Sequence, residues 1–375
     1  MNAPEPTRVL LLIDRFWPRI GGAEIQALRF VRAMKPLGYE FTVVTNCEDG
    51  LVAAESHQGI PIIRQPFLEA IEGRNLETIV EIRTALAKLT QAFQPHLIHE
   101  VGYGPTIFFR RYVLGEDTPS VFEVCLQFGN VAADEGTAIG RALRAASWVT
   151  TNSSATLDQI RSLVPDIAPR SSVIYYGVEE PDHTATELSC APPRLLCFGR
   201  LVPEKGFDVA VLALPHILRR FPDARLVVAG DGPERTNLEH LVRDLDVEHA
   251  VDFSGWIQPE AIPGLVSDAT LVLMPSRWEE SLGLVAVETG LMARPVIASQ
   301  VGGLTEVVIH DRTGITVPKE DPGALARAVV DLLGEPMKAV RLGNEARRWT
   351  LNTFSLDRYT TEYDSLYRRL LNGTM

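Results

Sequence analysis

The sequence predicts two doubly wound α/β domains, each built on a parallel sheet, and three observations predict them. Short β-branched runs alternate with amphipathic stretches from end to end, the pattern of strands joined by crossover helices. The strand runs are almost continuously apolar, as at Val9-Leu10-Leu11-Leu12-Ile13, which suits a sheet covered by helices on both faces. A length of 375 residues exceeds what one hydrophobic core organises.

In the first half the expected strands are 8–13, 41–45, 96–99, 120–124, 148–151 and 173–175. Between the first two, Ile25, Leu28, Val31 and Met34 recur every third residue and share one face of a helix over 23–37. In the second half the strands are 194–198, 225–229, 251–253, 271–274, 296–298 and 315–317. The break falls at 179–193, where acidic residues, Pro181, Pro192 and Pro193 interrupt all periodicity and read as an extended linker. The domains are then 1–178 and 194–354.

Charge and composition narrow the function. Lys and Arg number 36 against 48 Asp and Glu, a net charge of −12, which argues against a nucleic-acid partner because a phosphate backbone demands a cationic face. No apolar run approaches the roughly 20 residues that span a bilayer. The opening Met1-Asn2-Ala3-Pro4-Glu5-Pro6 has no basic region followed by an apolar stretch, so no secretory signal is read and a cytoplasmic location is expected. Cys47, Cys125, Cys190 and Cys197 form no CxxC pair. Neither a zinc site nor a disulfide framework is indicated, and buried reduced thiols are expected. The stretch Phe108-Phe109-Arg110-Arg111-Tyr112-Val113-Leu114 mixes basic and apolar residues. It suits either peripheral contact with an anionic inner membrane face or, given its shortness, a half-buried helix with two solvated arginines.

Open α/β sheets bind ligands at the carboxyl ends of their strands, and five loops there carry the signal. Pro18-Arg19-Ile20-Gly21-Gly22-Ala23-Glu24 opens the first helix, and its glycines permit either a close phosphate or a plain tight turn. Phe198-Gly199-Arg200-Leu201-Val202-Pro203-Glu204-Lys205-Gly206 sets two cations between glycines. Guanidinium and ammonium together suit a diphosphate, while a solvated surface loop is the alternative. Ala229-Gly230-Asp231-Gly232-Pro233-Glu234-Arg235 resembles a dinucleotide fingerprint but has Arg235 where the third glycine belongs, so it reads as a turn. The fourth loop, Met274 to Glu288, carries Glu280 and Glu288 around Gly283, Leu284 and Val285. Free amides at a helix start hold phosphate, and ionised carboxylates accept hydroxyl protons. An acidic first turn of any helix is the alternative. Gln300-Val301-Gly302-Gly303-Leu304-Thr305-Glu306 is either a backbone approach to a nucleotide or a structural turn.

In this order the strings GRLVPEKG, VVAGDGPE, VDFSGWI, PSRWEESLGLVAVETG and PVIASQVGGLTEVV resemble the retaining glycosyltransferases of family 4, also called group 1. In the first half the resemblance rests on GGAEIQALRFVRAMKPLGYEFTVVT, QPHLIH, SWVTTNSS and VIYYGVE. It implies the GT-B fold, two Rossmann-like domains facing across a nucleotide-sugar cleft, with the C-terminal helix 355–375 returning to the N-terminal acceptor domain. It implies that Arg200 and Lys205 hold the donor diphosphate. It places Glu280, the first carboxylate of an E-x7-E pair, on the donor sugar, and Glu288 on the ribose. Backbone at Gly22, Gly283, Leu284 and Val285 would meet the donor, Glu24 and His99 the acceptor, and 255–257 the base. The family's usual histidine after the strand 120–124 is replaced by Cys125, and its H-x-H pattern keeps only His99, with Val101 at the second position. Acceptor chemistry is therefore what transfers least, and His99 reads at least as well as a structural strand-end residue.

The activity so implied is a retaining, metal-independent hexosyltransferase without a cofactor. Its donor would be a nucleotide sugar and its acceptor a glycan, a lipid-linked glycan or a small molecule, as in cell-envelope polysaccharide synthesis. Asp244-Leu245-Asp246 lies in a helical stretch rather than after a strand, so no metal site is assigned there. A GT-B epimerase, or a catalytically silent relative that binds a nucleotide sugar or a partner protein, is the alternative.

Overall fold

The structure, a computed structural model, describes residues 5–19, 21–48, 50–102, 104–113, 118–126 and 136–373. Ile20, Leu114, the first four residues and the last two of the stretch 355–375, singled out above, lie outside them. The chain forms two compact units. The first takes the residues up to Gly177 together with those from Leu356 on, and the second is Val178–Ser355.

In the first unit eight strands form one sheet: β1 (Thr7–Ile13), β2 (Tyr39–Asn46), β3 (Ala54–His57), β4 (Ile60–Gln65), β5 (Leu97–Val101), β6 (Ser120–Val124), β7 (Trp148–Thr151) and β8 (Ser171–Val173). Their order is β3-β4-β2-β1-β5-β6-β7-β8. All pairs are parallel except β3 with β4. That hairpin was not legible, because its turn is Gln58-Gly59, both at positive φ; Asn or Asp is the usual first residue of such a turn. The first helix is Gly22–Met34, and Lys35–Leu37 tightens into a 3-10 turn because Pro36 has no amide to donate.

The second unit has six strands: β9 (Arg194–Phe198), β10 (Arg225–Ala229), β11 (Val251–Gly255), β12 (Leu271–Met274), β13 (Val296–Ser299) and β14 (Gly314–Val317). They lie all parallel in the order β11-β10-β9-β12-β13-β14. Both faces are covered: Leu195, Cys197, Leu226, Val228, Leu271, Leu273 and Ile297 are buried on one, and Leu196, Val272 and Val296 on the other. In each sheet the chain builds outward from its first strand and then restarts on that strand's other side, between β1 and β5 and between β9 and β12.

The segment 179–193, expected as an extended linker, is strapped to the second unit. Buried Arg294 donates to the carbonyl oxygens of Ala269 (2.8 Å), Met292 (3.0 Å), Ser267 (2.5 Å) and Thr186 (3.0 Å). Thr270 Oγ1 donates to Ser189 O at 2.6 Å. Val178 and Ser355, where the chain enters and leaves this unit, form a parallel bridge.

The helix Leu356–Leu371 completes the first unit. Tyr359, Tyr363 and Tyr367 recur every fourth residue, share one face and are fully buried. Tyr363 OH donates to Glu123 Oε2 at 2.7 Å, and Tyr367 OH lies 2.6 Å from His99 Nδ1. Phe30 packs edge-on against Tyr363 with ring centres 4.8 Å apart.

Two expectations are corrected here. The stretch from Phe108 is two 3-10 turns rather than a helix, and Arg110 is not solvated: it is buried against Glu100 Oε2 at 2.6 Å, while Phe108 and Arg111 face outward. Only Cys125 and Cys197 are buried; Cys47 and Cys190 are half-exposed, and all four are free. No described helix is long and apolar enough to cross a membrane.

Replacing Arg294 with Met orphans several buried carbonyls at once. The expected cost is about 3 kcal/mol or more, read as a lower urea midpoint for the second unit.

Candidate active site

The chain reversal between β9 and β12 explains why the most informative loops meet. The two strands pair side by side through Leu195 with Leu271 and Leu196 with Val272. The loops that leave their carboxyl ends, 199–206 and 275–283, therefore start as neighbours. Gly206 adopts φ +63°, and a Cβ there would run into the carbonyl oxygen of Pro275. Only glycine lets the backbones approach this closely. The main chain locks the contact, with Arg277 N donating to Glu204 O at 2.9 Å.

The neighbouring glycine loops are supports. Gly230 and Gly232 lie against the carbonyls of Gly199 and Leu201, and Leu201 N donates to Asp231 O at 2.9 Å. The failed dinucleotide fingerprint is thus the bed on which the Arg200 loop rests. Gly302 packs on the Glu280 carbonyl, and Gly303 N donates to that oxygen at 2.8 Å. Glu279 Oε2 accepts from Gly302 N at 2.5 Å. The loop 300–306 thereby fixes the main chain of Glu280 from behind.

On this frame Lys205 Nζ lies 2.6 Å from Glu280 Oε1, with side chains 25% and 17% exposed. Buried Ser276 donates its hydroxyl to the same oxygen at 2.8 Å. The lysine keeps protons for a second acceptor, and Glu280 keeps Oε2 for a donor. Arg200 is exposed on the same loop as Lys205. Gly283, at φ +92°, turns the chain into the helix Leu284–Leu291, and no side chain caps that start. The amides of Leu284 and Val285 have no carbonyl one turn earlier to accept them. Glu288 is half-buried in the second turn of that helix. At the end of β11, Gly255 takes φ +68°, and the next residue, Trp256, is 49% exposed.

In the first unit, Gly22 is exposed at the helix start, and the Glu24 carboxylate folds back over Gly21. His99 has no exposed surface. Its ring is held among Phe30, Tyr363 and Tyr367, with Nε2 3.3 Å from Glu123 Oε2. It is a core histidine, and direct contact with an acceptor is not open to it. Cys125 is buried directly after β6, and burial, with the nearby charge of Glu123, pushes its thiol up to about 12.

Three residues escaped the sequence reading. Asp14, directly after β1, accepts from Thr106 N (3.1 Å) and Thr106 Oγ1 (2.9 Å), and burial raises its carboxyl above the usual range despite those bonds. Its position at the β1/β5 reversal was the available signal. Ser276 and Arg277 stood inside a quoted string, but nothing in spacing shows that they reach Glu280 and Asp208.

Comparison with known proteins gives concordant matches. The model described as Glycosyl transferases group 1 matches residues 179–349, and the model of Glycosyltransferase Family 4 matches residues 20–180. A GDP-mannose-dependent alpha-(1-6)-phosphatidylinositol monomannoside mannosyltransferase of Mycolicibacterium smegmatis is 36% identical over 43% of this chain and 44% of its own length. The alpha-D-kanosaminyltransferase of Streptomyces kanamyceticus is 34% identical over 48% of this chain and 46% of its own. The matched part thus spans under half the length of these curated relatives. The sucrose-phosphate synthase structure from Thermosynechococcus elongatus superposes with a TM-score of 0.82 at 22% identity, covering 98% of this chain and 100% of that one. At that identity the likeness speaks to fold, and the fold is GT-B.

Two outcomes are expected from the frame itself. Gly206→Ala should lower stability by about 2 kcal/mol or more, from left-handed strain and the clash with Pro275, seen as a lower melting temperature. Iodoacetamide at neutral pH should label Cys47 and Cys190 well before Cys125, whose thiolate is scarcely populated there; mass spectrometry of the native protein checks this.

Proposed function

The chain belongs to the group 1, family 4 glycosyltransferases, and on that premise we propose that it moves a sugar from a nucleoside-diphosphate donor to an acceptor hydroxyl. The observation that carries this reading is the Lys205–Glu280 pair, 2.6 Å apart beside an uncapped helix start. A cation, a hydrogen-bonded carboxylate and open amides on one strand-end edge match the needs of a diphosphate with a sugar attached.

The roles follow from charge. Breaking the anomeric bond leaves positive charge on the sugar and negative charge on the departing phosphate. Arg200 and Lys205 neutralise the latter, together with the amides of Leu284 and Val285. Glu280, held by Ser276 and Lys205, takes a hydroxyl of the donor sugar. Glu288 takes the ribose, and Trp256 with Gly255 borders the base. In the first unit the family likeness assigns Gly22 to phosphate and Glu24 to the acceptor.

We place the reaction in the retaining class. The acceptor oxygen forms its bond to the anomeric carbon on the face that the phosphate oxygen leaves, and the acceptor proton passes to that phosphate oxygen. Cationic side chains carry the leaving-group charge in this scheme, so no metal is needed. The relatives, a phosphatidylinositol monomannoside mannosyltransferase and an alpha-D-kanosaminyltransferase, support a glycolipid or small-molecule acceptor.

A thermal-shift panel of UDP, GDP, ADP and their common sugar conjugates, without and then with magnesium, tests the reading. One nucleotide should raise the melting temperature in the absence of metal, by mass action, and Arg200→Ala should abolish the shift. Lys205→Ala and Glu280→Ala should each cut donor turnover about 100-fold or more with little change in melting. Wild-type turnover in either variant removes that residue from the site, and no shift with any nucleotide leaves the chain without a donor site.

A further inference from the structure

The Lys205–Glu280 pair is built from two loops, and one side chain spans both. Arg277 stands three residues before Glu280. Its guanidinium grips Asp208 fork to fork, NH1 to Oδ1 at 2.7 Å and NH2 to Oδ2 at 2.5 Å. NH1 also donates to Pro203 O at 3.1 Å, and Nε to Glu320 Oε1 at 3.2 Å. Pro203 opens the 3-10 turn that ends in Lys205, and Asp208 sits in the first turn of the helix Phe207–Leu218. The residues on either side of Lys205 and Gly206 are thus held by the loop of Glu280.

The chemistry of the contact bears on its purpose. The side chains of Arg277 and Asp208 are 28% and 30% exposed, and a partly exposed ion pair adds little to stability. A planar two-bond fork, by contrast, fixes orientation as well as distance, which a single lysine contact does not. Five donated hydrogen bonds, counting the Arg277 main-chain amide to Glu204 O, are far more than a solvated arginine needs.

We propose that Arg277 is a positioning residue for sugar transfer: it sets the spacing of the Lys205 ammonium and the Glu280 carboxylate without touching the donor. The inference rests on the functional reading above. Its consequence is coupling, since a misplaced Lys205 and a missing Lys205 harm the same step.

A double-mutant cycle of Arg277→Met and Lys205→Met tests it. Nucleoside-diphosphate release from the UDP-, GDP- or ADP-sugar that wild type accepts is followed in single turnover with enzyme in excess. Arg277→Met should slow the step about 100-fold, as a displacement of roughly 1 Å does, while its melting temperature moves by only a few degrees. Arg277→Lys, which keeps the charge and loses the fork, should keep most of the defect. In the Lys205→Met background the added loss should fall below about threefold. Equal losses in both backgrounds, or an Arg277→Met enzyme at wild-type rate, overturn the proposal. If Arg277→Met does not fold, Asp208→Asn opens the same fork from its other side and takes its place in the cycle. A Lys205→Met enzyme at wild-type rate overturns the functional reading, and the positioning role with it; that failure is distinguishable because it shows without any change at Arg277.

Discussion

The main chain of Gly206 pressed on the carbonyl of Pro275 is the contact on which the second unit's chemistry depends. Neighbouring strands run about 4.8 Å apart, so loops leaving β9 and β12 either splay or interlock. A left-handed glycine allows them to interlock. Once they do, Lys205 is delivered to Glu280, Ser276 reaches the same carboxylate oxygen, and Arg277 finds Asp208. Remove the glycine and each of these side chains keeps its place in the sequence but loses its neighbour.

The same logic sorts the glycines by purpose. Five glycine-bearing loops stood out at strand ends, four of them as candidates for a ligand and 229–235 as a turn. Three of them carry glycines that meet protein backbone instead: Gly230 and Gly232 under the Arg200 loop, Gly302 under Glu280, and Gly206 itself. A glycine in a βα loop marks a close approach, and the sequence does not say what approaches. Gly283 is buried too, its open side filled by Leu304, so at that uncapped start the half-buried Leu284 and Val285 meet solvent, and Gly22 is the exposed glycine.

Much of the fold was legible because parallel strands buried on both faces are written as solid apolar runs. Every strand of the second unit was placed to within two residues. The hairpin β3–β4 was not, since Ala54–His57 is short and mostly polar and its turn uses Gln58. The strap 179–193 read as a linker because proline and acid content reports local stiffness and solvation, while its attachment is made by Arg294, more than a hundred residues on. At the site, residue types and their order pointed to Lys205 and Glu280. Asp14, Ser276 and Arg277 were hidden because their roles lie in contacts across loops, which spacing along one chain does not encode. His99 carried the ambiguity of any lone histidine, and burial against Tyr367 resolves it.

The first unit is assembled from both ends of the chain. Its sheet and first helix come early, but the face that holds Phe30, His99 and Glu123 is closed by tyrosines of Leu356–Leu371. On the ribosome the whole of Val178–Ser355 is made in between. A nascent chain therefore carries a sheet with an open aromatic groove, and with a buried-to-be carboxylate still wet, for as long as the second unit takes to emerge. Domains of most proteins close in order of synthesis; this one must wait for the helix Leu356–Leu371. The second unit, by contrast, is contiguous and can close at once, so that the order of completion runs against the order of translation.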